Sequence, residues 1–112
     1  MIDDLLKNVQ EFLDSGEDNL KKKRFNASVA DYFKAIVILC DALIYREMRT
    51  LPKNHNDRFR LLDLYFKGIY DEISSLFKIY IDSYNLRLSF EDSNKLKNYA
   101  NELKNLIDKK RI

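Results

Sequence analysis

Arg49 and His55, with five residues between them, are the residue pair in this chain best suited to chemistry. Histidine changes charge near neutral pH, and arginine offers parallel donors that match a phosphate. Together they meet the needs of metal-independent phosphodiester cleavage. An imidazole moves protons on and off the reacting oxygens while a guanidinium stabilises the charge developing on phosphorus. Thr50 and Asn54 stand ready to orient a ribose or phosphate, and Arg46, Lys53 and Arg58 make the segment basic. The same residues also fit a plainer reading, in which His55 packs at the start of a helix and Arg49 meets the last carbonyls of the helix before it.

Other chemistries find less support. The single histidine and single cysteine leave only carboxylates to complete a metal site, and Asp41, Glu47, Asp57 and Asp63 have no ligand-like spacing, so no metal and no cofactor is expected. Cys40 lies in an apolar run, which reads as core rather than as a nucleophile paired with His55. No glycine-rich phosphate loop is present. Most of the tyrosines, Tyr32, Tyr65, Tyr70, Tyr80 and Tyr99, fall at or beside core-facing helical positions. Tyr84 differs, because it lies in a connection beside Arg87.

The elements that must position these residues are helices. Two glycines, one proline and an abundance of Leu, Lys, Glu, Asp and Asn predict an all-α chain, and no segment alternates as a half-buried strand would. Periodicity predicts a first helix from about Ile2 to Lys23, with Gly16 on its apolar face, where the helix either continues or kinks and a neighbour can approach closely. Asn26 reads as the N-cap of a second helix, from Ala27 to about Met48. That helix is apolar around so much of its girth that it is either the centre of the bundle or a subunit interface. Pro52 ends it. Asn54 or Asn56 caps a third helix, from about Asp57 to Asp82, with Tyr65 in its buried stripe and Gly68 as its weak point. Ser89 and Asp92 resemble a capping box opening a last helix to about Lys109, with Leu106 inward. Short links make an antiparallel four-helix bundle the expected architecture, with residues 1–112 as one domain.

A chain of 112 residues buries roughly two-thirds of its unfolded surface without disulfides. Its N-terminus lacks a basic and apolar leader pattern, and no apolar stretch reaches the roughly 20 residues that cross a bilayer, so a cytoplasmic protein without membrane contact is expected. A net charge of +2 excludes a global basic field. Positive charge is local, in Lys21–Arg24, in the central loop and in Lys109–Arg111, and a solvated helix end accounts for any one of these runs.

Three segments together resemble the HEPN family of nucleotide-binding helical domains, over roughly residues 15 to 108. These are Lys23-Arg-Phe-Asn-Ala-Ser-Val-Ala-Asp-Tyr-Phe-Lys-Ala-Ile, then Leu51-Pro-Lys-Asn-His-Asn-Asp-Arg-Phe-Arg-Leu-Leu62, and Tyr84-Asn-Leu-Arg87 followed by the last helix. The resemblance implies a homodimeric helical bundle whose basic sites lie in a cleft between subunits. It implies that Arg49 stabilises phosphate charge and that His55 acts as general acid or base, as in the family's ribonucleases. Pro52 inside the gap is similar instead to the non-nuclease branch, which accompanies minimal nucleotidyltransferases in toxin–antitoxin-type pairs. The leading expectation is therefore a nucleotide- or RNA-binding homodimer whose cleft is lined by Arg46, Arg49, Lys53, His55 and Arg58, with Tyr84 and Arg87 beside them. The alternatives are a metal-independent endoribonuclease and a structural interaction domain with no ligand.

Overall fold

In a computed structural model that describes residues 1–110, the chain forms five helices: α1 (Ile2–Lys21), α2 (Phe25–Met48), α3 (His55–Tyr65), α4 (Lys67–Asp82) and α5 (Phe90–Lys110). No helix is long and apolar enough among these residues to cross a membrane. The side chain of Lys110 and all of Arg111, part of the third basic run, lie outside the described residues.

The centre of the molecule is α2, which touches each of the other four helices. Its wide apolar stripe thus serves the bundle itself: Val29, Ile36, Leu39, Cys40, Leu43 and Ile44 are all buried. Burial pushes the Cys40 thiol up to about 12, so it stays protonated and inert, as an apolar position requires. The α1–α2 turn needs a left-handed residue, and Lys23 supplies it at φ 60° while the amides of residues 22–24 return to carbonyls of α1. The four residues Lys21–Arg24 are exposed there, the solvated helix end that accounts for this basic run.

Gly16 lets the two helices close. A Cβ built at this position would lie 2.9 Å from Cζ of the buried Tyr32 ring. Beside it, the buried Ser28 hydroxyl donates to the Gly16 carbonyl at 2.9 Å, which leaves Ser93 of α5 to donate to Ser28 at 2.6 Å. Glu17 completes the clasp, accepting from the Tyr32 hydroxyl at 3.0 Å and pairing with Lys97 of α5 at 2.9 Å. The Lys97 bond and then the Tyr32 bond hold its carboxyl below the usual range.

Four expectations from the sequence need correction. The third helix is two, because Phe66 (φ −139°, ψ 56°) leaves helical geometry to pack its ring on the core, two residues before Gly68. This break turns Tyr65 outward, to 63% exposure. Leu106 is likewise on the surface, because α4 and α5 do not close over it. Asn26 does not cap α2, which begins at Phe25. Its amide instead donates to the carbonyls of Ser83 and Leu86 and accepts from the Leu88 amide. An asparagine can satisfy donors and acceptors at once, and the irregular α4–α5 connection has three such groups to satisfy. Two caps are as expected: Asn54 accepts from the Asp57 amide at 2.9 Å, and Ser89 and Asp92 bond reciprocally at the start of α5.

Candidate functional site

The loop between α2 and α3 starts from a strained residue. Arg49 ends α2 in the left-handed region, at φ 59° and ψ 26°, with its amide bonded to the Tyr45 carbonyl at 2.7 Å. Glycine holds this conformation at no steric cost, whereas an arginine gives up about 1 kcal/mol. Its guanidinium is exposed and makes no bond among the described residues. After Pro52, the Lys53 amide donates to the Asp57 carboxylate at 3.0 Å, while the Lys53 ammonium makes no hydrogen bond or ion pair among the described residues. That amide bond, followed by the Arg60 contact, lowers the Asp57 carboxyl.

His55 is the first residue of α3 and is exposed. Its position comes from a chain of three side chains. Asp41 on α2 receives Arg58 through two bonds, Nε to Oδ1 at 2.6 Å and Nη2 to Oδ2 at 2.9 Å. The remaining arm of the guanidinium, Nη1, lies 2.8 Å from Nδ1 of His55. Arginine can only donate, so Nδ1 accepts and the neutral ring carries its proton on Nε2. A histidine held this way presents an N–H to whatever occupies the space before it. It is a donor to an anion or carbonyl and has no lone pair on its outward nitrogen with which to act as a base.

The ring borders a hollow of about 310 Å³ between α1, α2 and α4, formed by Phe12, Phe33, Lys34, Val37, Ile38 and Tyr80 with His55 at its rim. Tyr80 is stacked on Phe33, with centroids 4.5 Å apart and planes within 10°. Lys34 lies 5.4 Å from the centre of the Phe12 ring, in reach of a cation–π contact. Tyr84 reaches the same place through Tyr80, hydroxyl to hydroxyl at 2.9 Å, and this bond raises the Tyr80 hydroxyl above its ordinary range. The Asn26 amide, by tying down the 83–88 connection, sets where Tyr84 and Arg87 stand. Arg87 is exposed and free of bonds among the described residues.

Of the seven residues that the sequence singles out, His55 borders the aromatic hollow, and Tyr84 bonds from outside to Tyr80 in its wall. Arg49 and Lys53 are uncommitted cations in the loop that leads to it. Arg58 faces inward as the strut that orients His55, its charge already met by Asp41. Arg46 turns away: Nη1 reaches the Ile107 carbonyl of α5 at 3.4 Å, and Nη2 is buried without a partner among the described residues. Reasoning from sequence missed Phe12, Phe33 and Lys34 as wall residues and Asp41 as the anchor. The signal for Lys34 was a charge set among apolar neighbours on α2. Asp41 had none, since its partner lies 17 positions away.

No three His, Cys, Asp or Glu side chains come together as metal ligands among the described residues. Comparison with family models, curated proteins and solved structures finds no match to this chain.

Proposed function

We propose that this chain is a HEPN-like helical protein that binds a nucleotide or a short stretch of RNA. A base would enter the hollow and lie on the aromatic faces of Phe12 and Tyr80. The phosphates would meet Lys34, the outward N–H of His55, and the free cations Arg49 and Lys53. The observation that carries this reading is the His55 ring, held by Arg58 and Asp41 at the border of an aromatic hollow that Lys34 also lines. Base stacking on such rings contributes about 1–3 kcal/mol per base and tolerates any sequence. An N–H donor with no open lone pair favours binding over base-catalysed cleavage. The HEPN resemblance adds that the protein works as a homodimer, with two such sites near a two-fold axis, beside a minimal nucleotidyltransferase.

Fluorescence anisotropy with a labelled single-stranded RNA decamer tests this. Three cationic phosphate contacts, Lys34, Arg49 and Lys53, predict that affinity falls about tenfold or somewhat more between 50 and 200 mM salt. An Arg49→Ala, His55→Ala double variant should lose at least tenfold more. Affinity unchanged in that variant would remove the site.

A further inference from the structure

The molecule carries a second recess, which shares no lining residue with the His55 hollow. Between α4 and α5 runs a trough of about 680 Å³ at one end and about 400 Å³ at the other, continuous through Glu72, Tyr99 and Glu102, which border both parts. Its floor is apolar, with Ile69, Leu76 and Leu103 along it, and Leu106 is exposed at its edge. The two helices touch each other less than either touches α2, which is why the space stays open.

The pattern along α5 is that of a pairing helix. Leu96, Tyr99, Leu103 and Leu106 follow one another at spacings of three, four and three, as the inward positions of a heptad do. Leu96 and Leu103 are spent on the core, while Tyr99 and Leu106 are left toward the trough. Lys95, Glu102 and Lys109 recur every seven residues beside that seam, in the flanking place where paired helices set their charge code. Glu72 joins Glu102 from the α4 wall. Neither carboxylate has an ion pair or hydrogen bond among the described residues, and neither does the Tyr99 hydroxyl. Burial raises that hydroxyl first, then Cys40, Glu72 and Glu102, and the two carboxylates line both parts of the trough with Tyr99.

We propose that this trough docks an amphipathic helix from a partner protein, one whose flanking charges run acidic, basic, acidic at seven-residue spacing. The basic centre would meet Glu72 and Glu102, and the acidic ends would meet Lys95 and Lys109. From Lys95 to Lys109 the trough is about 21 Å long, room for four helical turns. A second copy of this chain fits poorly, because it would set the same carboxylates against each other. The apolar face of α1 is also already used against α2 and α5.

The test uses the full chain and a synthetic 21-residue helical peptide with a leucine stripe flanked by Glu, Lys and Glu at that spacing. Calorimetry should show binding that a Glu72→Lys, Glu102→Lys variant weakens at least tenfold, and that a peptide with Glu at its centre restores to the variant. Both glutamates are exposed, and the variant's far-ultraviolet circular dichroism should match that of the parent. Absence of binding to the parent chain overturns the proposal. So does equal binding by the charge-reversed variant, or self-association of the parent chain that the peptide competes with.

Discussion

The clasp formed by α1, α2 and α5 and the flank formed by α3 and α4 are made of similar residues but are held in different ways. In the clasp, Gly16 admits the Tyr32 ring, two serine hydroxyls satisfy each other and a backbone carbonyl, and Glu17 ties three helices at one point. On the flank, α3 buries only Leu61 and Leu62 and α4 only Ile73 and Leu76. The polar tie recorded between α3 and α2 is the Arg58–Asp41 pair. The clasp has polar recesses of about 220 and 410 Å³ along α1 and α5, while the loosely packed flank opens hollows with aromatic or apolar walls. Both of these hollows border the flank, and the tight side supplies their fixed walls. A scaffold that concentrates its stability in one region can leave another open for recognition.

Asp41→Ala should break this contrast most severely. It strands the nearly buried Arg58 charge and releases α3 from α2, which costs about 2–4 kcal/mol in urea unfolding. It also frees His55, so RNA affinity should fall with stability. A loss below about 0.5 kcal/mol would mean that the leucine contacts alone hold α3, as expected of an exposed ion pair. The two glycines sharpen the same comparison with opposite signs. Gly16→Ala pushes a methyl into the Tyr32 ring and should destabilise by about 1–2 kcal/mol despite alanine's better helix propensity. Gly68→Ala meets nothing within 4 Å and should stabilise by about 0.5 kcal/mol, little because it lies in the first turn of α4. Equal signs from the two in thermal melts would show that the clasp is no tighter than the flank.

The clasp is also the part that sequence reveals best. Val9, Leu13, Ile36, Leu43 and Leu103 follow the helical period, and period is what a linear reading detects. Gly16 on the apolar face foretold a close approach, though not that Tyr32 would make it. The flank hides its logic in long-range pairings. Phe66 breaks a helix with neither proline nor glycine at the break, so only the distant packing of its ring marks the place. Asn26 resembles a cap and acts instead across 57 to 62 residues of chain. At the site, residue types identified His55, and spacing paired it with Arg49. The Asp41 anchor and the aromatic walls arise only when α1, α2 and α4 meet.

The comparison is subtlest at Arg49, where stability and recognition pull apart. Its backbone sits in the left-handed region for which glycine is suited, as does that of Lys23 at the other end of α2. Replacing either residue with glycine should relieve the steric cost and, after glycine's greater entropy in the unfolded chain, stabilise the protein by about 0.5–1 kcal/mol. If the two arginine and lysine side chains were equally idle, both variants would bind RNA as the parent chain does. The proposed site makes them differ: Lys23→Gly keeps its affinity, and Arg49→Gly gains stability while losing at least threefold in binding. Backbone strain does not separate the two, since Lys23 shares it; the place of Arg49 in the loop before His55 does. Matched affinities for the two variants, measured at 50 mM salt, would make Arg49 an ordinary helix end and move the phosphate contacts to Lys34 and Lys53.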